Sequence, residues 1–397
     1  MEFGSIALAS LDFGTLPQQL VNGLLLGAIY ALVALGYTMV YGVLRLINFA
    51  HGEVFMLGAY AALFVSWRLG FSEAGLVSNP NLASSALNLV LMLLVSMTTG
   101  AIVGVLIEFF AYRPLRNEPR IAALITAIGV SLLLQYGGAL ILPNSPQPSI
   151  DERINPYRSA VVLQLKGADA HFEGDIQQAQ GKYDIAKTAF DTALAREKAQ
   201  FGIDSEFDLR DQSPRKTVQA AESDLKRLQS EKESSEVRVV IPQGQLIMLI
   251  TSLGLMLILR WLVMKTKVGR NMRAVAHDFD TASLMGINVN RVISFTFFIG
   301  SALAGAGAMM NATFLGTPLD TFYGVKLGVK AFVAAVLGGI GNIPGAVLGG
   351  LVMGVAETLV VWAGYSSYRD AIALVILIVV LLFRPGGLLG SSKVEKV

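Results

Sequence analysis

Three side chains able to carry a proton or hold a polar ligand, Asn48, His51 and Glu53, fall within six residues of one another in the run LINFAHGEVFMLGAY. A carboxamide, an imidazole and a carboxylate at that spacing can line a polar cavity or brace a helix bundle, and Glu53 could carry a coupling proton. Zinc protease chemistry does not fit: His51 and Glu53 do not make HExxH, and the other two histidines are His171 and His277. The setting of the trio makes it informative. Residues 17–44 upstream carry no charge, and neither do residues 54–67 downstream. Lipid cannot solvate polar side chains, so a cluster between two such runs marks a transport path, a broken helix or a subunit contact. Two readings stand, a polar turn between helices or a discontinuous helix, and Gly52 favours the break. A second carboxylate, Glu357, interrupts the apolar run 345–363 and must either pair inside the bundle or face a water path. Glu108 and Arg260 sit near segment ends, where long side chains snorkel to water.

The elements that must position these groups are membrane helices. Hydrophobic residues make up 53% of the chain and charged residues 15%, which excludes an ordinary soluble domain. A net charge of +2 gives no basis for nucleic-acid binding, and zero cysteines exclude disulfides and thiolate chemistry. Crossing the hydrocarbon core takes about 20 apolar residues. Uncharged or nearly uncharged runs at 17–44, 54–67 (extended by 46–50), 86–107, 121–142, 242–264, 292–315, 330–340, 345–363 and 371–383 predict an all-α polytopic bundle of eight or nine membrane segments. Basic clusters at Arg113, Arg116 and Arg120, at Lys265–Arg291, and at Arg384, Lys393 and Lys396 belong in the cytoplasm. Nine crossings satisfy all three, so 330–340 is counted as a crossing. The C-terminus is then cytoplasmic.

The same parity places residues 149–240 on the far side as a soluble insert. Between 151 and 238 lie 31 of the chain's 60 Asp, Glu, Lys and Arg residues, so this block is foreign to its surroundings. Ile176, Ala179, Tyr183, Ala186, Phe190 and Ala193 form one heptad-like seam, and Val218, Ala221, Leu225 and Leu228 another. They predict a helical hairpin broken at 202–214. The chain thus divides into an N-terminal membrane half (1–148), the insert (149–240) and a C-terminal membrane half (241–397).

Two further motifs carry function. Residues 265–290 run from basic to amphipathic and end in His277, Asp278, Ala282, Ser283, Leu284, Met285, Gly286 and Ile287. A short helix with small residues and a glycine stop suits docking into a groove on another protein. The ladder Gly341, Gly345 and Gly349, with Gly350 and Gly354 beside it, lets helix backbones approach closely. No GxxxxGK[ST] occurs, so the chain does not bind ATP by that device.

Residues 22–60, 111–129, 268–305, 329–357 and 382–390 together resemble the LivH-type permease subunit of branched-chain amino acid ABC importers. The resemblance implies a subunit of a bacterial inner-membrane importer, not an enzyme, with no cofactor of its own. It implies a second, LivM-like permease, two cytoplasmic ATPase subunits carrying ATP and Mg, and a periplasmic binding protein that delivers substrate. It makes 275–287 the region that contacts an ATPase and 48–53 a broken-helix region near the transport path. The long insert departs from the family pattern. Branched-chain or other neutral amino acids are the expected cargo. Urea or short amides form one alternative, and a self-sufficient channel or secondary carrier another.

Overall fold

The computed structural model describes residues 13–69, 82–116, 118–143, 157, 159–166, 170–201, 212–235 and 237–390. The C-terminal Lys393 and Lys396 and most of the 202–214 break lie outside that set. Helices α1 (Leu16–Leu44), α2 (His51–Leu69), α3 (Leu82–Ile107) and α4 (Arg120–Ile141) come first. Next come β1 (Ala160–Lys166), α5 (Ala170–Phe201), α6 (Ser213–Ser235) and β2 (Val237–Pro242). Then follow α7 (Gln243–Lys265), α8 (Lys267–His277), α9 (Phe279–Leu284), α10 (Val289–Phe314), α11 (Tyr323–Gly338), α12 (Ile343–Trp362) and α13 (Ala371–Phe383).

Among the described residues six helices are long and apolar enough to cross a membrane: α1, α3, α4, α7, α10 and α12. The all-α, polytopic expectation therefore stands at that level. The runs at 54–67, extended by 46–50, and at 330–340 do not yield helices of that kind. Helix α2 is 19 residues with Glu53 in its first turn, and α11 is 16 residues, about 24 Å. Helix α13, at 13 residues, is also shorter than the hydrocarbon core is thick.

Glycine sets how closely the bundle packs. Helix α12 uses two faces. Gly345 and Gly349 lie on the backbone of α11 at Gly338 and Ala334, while Gly350 and Gly354 lie on the backbone of α1 at Ala31 and Gly27. In lipid the drive to associate is van der Waals contact, which grows as backbones approach. Helices α2, α3 and α10 pack the same way: Gly58 meets Gly305, Gly100 meets Ser301, and the Ser96 hydroxyl donates to the carbonyls of Gly58 (2.8 Å) and Gly305 (2.6 Å).

Residues 162–240 form a compact unit of their own together with 12–18. Within it α5 packs on α6, burying Ala179, Ala186, Phe190 and Leu225, all members of the heptad seams. The strands β1 and β2, which hydrophobic patterning did not announce, pair as a two-stranded sheet. Phe190 anchors the hairpin. Phe190→Ala should destabilise it by about 2 kcal/mol, below the usual cost in a full core because few residues surround it. Hydrogen exchange should rise across α5 and α6 and stay unchanged in α1, α3 and α10.

Candidate functional site

Helix α1 ends at Leu44, and Arg45 takes a positive φ of 54° that reverses the chain. The next residues are not helical, yet Asn48 and Ala50 are buried. The chain turns back into the bundle. His51, first residue of α2, packs its ring on Tyr37 (4.6 Å between centroids) and against Gly36. Gly36 lies eight residues inside the end of α1, about 12 Å deep. Irregular backbone at such depth is tolerated only where protein covers it, and it is covered here.

Helix α11 begins in the same way. After α10 ends at Phe314, residues 315–322 are non-helical, with Leu319 and Thr321 buried. Tyr323 then opens α11 by stacking on Phe55 of α2 (5.3 Å). Gly52 and Gly324 meet backbone to backbone, closer than any Cβ would permit. The first turns of α2 and α11 therefore meet inside the bundle. Glu53, 1% exposed, is in the first turn of α2 and has its Oε2 beside Gly324 in the first turn of α11. Both helix N-termini carry partial positive charge, which accounts for a carboxylate at this depth. Its Oε1 accepts a hydrogen bond from Ser131 of α4 (3.2 Å). Glu53 Oε2, Asn48 Nδ2, Thr38 Oγ1 and both ring nitrogens of His51 find no protein partner.

Glu357 of α12 is fully buried, and the structure takes the pairing alternative. Tyr30 of α1 donates its hydroxyl to Oε2 (2.5 Å), Lys330 of α11 reaches Oε1 (2.9 Å), and Arg369 also bonds Oε1. Lys330 also bridges to Asp370 (2.7 Å) and holds that carboxyl below its usual range through the hydrogen bond. Tyr30, Lys330, Arg369 and Asp370 line a cavity of about 590 Å³ at the end of the bundle where α1 begins and α10 finishes. Tyr323 forms part of the same wall, and its hydroxyl accepts from Asn311 (2.8 Å). The sequence alone names Gln135, Asn311 and Thr313 as uncharged interior candidates without ordering them, and it does not single out Lys330, Arg369 or Asp370. Lys330 interrupts an otherwise apolar stretch, and that was the one readable signal.

At the opposite end of α1, Glu108 does not snorkel. It is fully buried, opens a π-helical turn (Glu108–Tyr112) at the end of α3, and pairs with Arg113 (3.2 Å) and Arg116 while accepting from Ser294 of α10 (2.7 Å). A wider helical turn there re-aims Tyr112, whose hydroxyl donates to Asn48 Oδ1 (3.2 Å). Arg260 is exposed.

The segment after α7 folds as two short helices. Thr266 caps α8 by accepting from Gly269 N (3.1 Å), and Asp278 caps α9 by accepting from Thr281 N (2.6 Å), which lowers the Asp278 pKa. Helix α9 stops in a Schellman turn: Gly286 N bonds Ser283 O, Ile287 N bonds Ala282 O, and Gly286 has φ +82°. The turn divides the predicted docking residues. Ala282 is buried and Ile287 half-buried, holding α9 to the bundle. His277, Asp278, Ser283 and Gly286 are exposed, and Leu284 and Met285 project at 88% and 78% exposure.

A chain whose helices bury polar knots in an apolar bundle invites comparison with transporters. Residues 19–381 match the family described as branched-chain amino acid transport system / permease component. The chain belongs to that family. The permease is 37% identical to the high-affinity branched-chain amino acid transport system permease protein BraD of Pseudomonas aeruginosa, covering 96% of this chain and 97% of that one. It is 33% identical to LivH of Escherichia coli K12, with the same coverage of each. A more distant relative, the autoinducer 2 import system permease protein LsrC of Salmonella paratyphi B, is 31% identical over 33% of this chain and 40% of its own. No solved structure matches the permease.

Proposed function

We propose that this chain is one permease subunit of an ATP-driven importer, moving branched-chain or other neutral amino acids across a bacterial inner membrane. The observation that carries this reading is the exposed Leu284–Met285 pair, presented on a capped helix beside basic residues, in a chain whose relatives are transport permeases. Two large apolar side chains projecting side by side from a capped helix fit a groove on a cytoplasmic ATPase. That ATPase would bind ATP and Mg, and this chain would bind neither. A second LivM-like permease would complete the pathway, and a periplasmic binding protein would deliver cargo to the end of the bundle bearing the cavity. The 149–240 insert would then be periplasmic and the C-terminus cytoplasmic.

The facing starts of α2 and α11 are the natural place for the path to switch. Leaving buried donors and acceptors unmatched costs about 1–3 kcal/mol per group, and such a cost is expected where a second conformation or a ligand supplies the partners. Asn48, His51, Gly52 and Glu53 would act there, and Glu357 would brace the outer wall.

The docking claim has a direct test. Leu284→Glu with Met285→Glu should leave the permease folded, since both side chains are exposed, and should abolish co-purification of the ATPase. Gly286→Glu adds strain at a positive φ and should do the same. Full ATPase recovery with all three would overturn the assignment. Uptake by the purified chain alone, collapsing with a proton gradient, would instead favour the self-sufficient carrier.

A further inference from the structure

The importer reading names neutral amino acids as cargo and leaves open where this subunit would hold one rather than a small amide. The cavity at the head of α1 closes that gap. Lys326, Lys330 and Asp370 line it with Arg369 and Asp320, and Glu357 stands directly behind Lys330 and Arg369. Three cations therefore face three anions. An uncharged amide needs none of these groups, and a net-charged solute would meet a compensated wall. A zwitterion, carrying one charge of each sign, matches both halves of it.

We propose that this cavity is the binding site for the α-ammonium and α-carboxylate of an amino acid, which enters by opening the Lys330–Asp370 bridge. That bridge is the one poised to exchange. Glu357 is fully buried and held by three donors, so it stays in place. Asp370 has a side chain 79% exposed, whereas Lys330 is 12% exposed. The substrate carboxylate takes Lys330 Nζ and the ammonium takes Asp370, so each broken ionic contact is replaced by a new one. Gln245 Oε1 adds a second indication: it is buried in the same cavity's wall without a hydrogen-bond partner and can accept from the ammonium. Leu25, Leu26 and Leu327 supply an apolar wall for a branched side chain. Tyr323, held by Asn311, closes the floor toward Gly52 and Glu53, so a bound amino acid waits above the two helix starts.

The inference rests on the importer reading only for its choice of ligand, and its test does not require transport. The full-length chain is placed in phosphatidylglycerol nanodiscs, which offer no zwitterionic headgroup to compete. Saturation-transfer NMR then compares leucine, leucinamide (ammonium only), 4-methylpentanoate (carboxylate only) and urea. Leucine is expected to give a signal at least tenfold above the other three. Asp370→Asn, at an exposed position that the fold tolerates, should lower the leucine signal at least tenfold, and Gln245→Leu about threefold. Equal signals from leucine and its half-charged analogues, no leucine signal at 10 mM, or wild-type binding by Asp370→Asn would overturn the site. Loss of the site with ATP-driven leucine uptake intact would leave the importer reading standing. Leucine binding without uptake in the assembled complex would do the reverse.

Discussion

Gly354→Val in α12 is expected to destroy the bundle, with a loss of more than about 3 kcal/mol and no monodisperse protein in detergent. A Cβ at Gly354 would lie 2.3 Å from the backbone nitrogen of Gly27 and 2.4 Å from the carbonyl of Gly23, so α1 and α12 would have to separate along their shared length. Backbone cannot yield as a flexible side chain can. Gly350 is in the same position against Ala31, and Gly350→Val should behave alike. Gly129 in α4 is the internal contrast, because nothing lies within 4 Å of the Cβ it lacks. Gly129→Ala should be neutral or stabilising by about 0.5–1 kcal/mol through helix propensity alone. Size-exclusion profiles and thermal unfolding of the three variants separate close packing from mere glycine abundance.

The second large effect is Glu108→Ala. It removes the anion shared by Arg113, Arg116 and Ser294, leaving one guanidinium 17% exposed and another 35% exposed with no counter-charge. Breaking a buried pair from one side costs about 3–5 kcal/mol, and partial exposure of both arginines puts this case near 3. The measurement is the unfolding midpoint in detergent. Glu108→Gln, which keeps the hydrogen bond to Ser294 but not the charge, should recover only part of the loss. A midpoint unchanged in both would show that the cluster is solvated and carries no stability.

Much of this architecture was legible because lipid constrains sequence so tightly. Runs near 20 residues with at most one charge had to be helices, and those at 17–44, 86–107, 121–142, 242–264, 292–315 and 345–363 correspond to the six long apolar helices. Gly52 between polar residues and abutting apolar runs betrayed the interrupted backbone before α2. The seams through Phe190 and Leu225 named the hairpin's buried residues, because heptad spacing survives in any surroundings. Other features depended on tertiary partners and left no local trace. Helix α11 starts at Tyr323, well before its apolar run, because Lys326 and Lys330 line a cavity and find carboxylate partners in Asp320 and Glu357. Arg369 and Asp370 look like an ordinary polar turn until folding carries them to Lys330 and Glu357. Glu108 sat where snorkelling is usual, and only the approach of α10 with Ser294 made burial the better solution.

The central claim is that this chain is the translocating subunit of an ATP-driven amino acid importer. The most direct measurement is uptake of radiolabelled leucine into proteoliposomes holding this chain with its co-purifying permease and ATPases. The binding protein is supplied on one face and ATP on the other. Uptake that requires both, and that fails when Leu284 and Met285 are changed to glutamate, is the predicted result. Uptake that proceeds with this chain alone, without ATP, would contradict it.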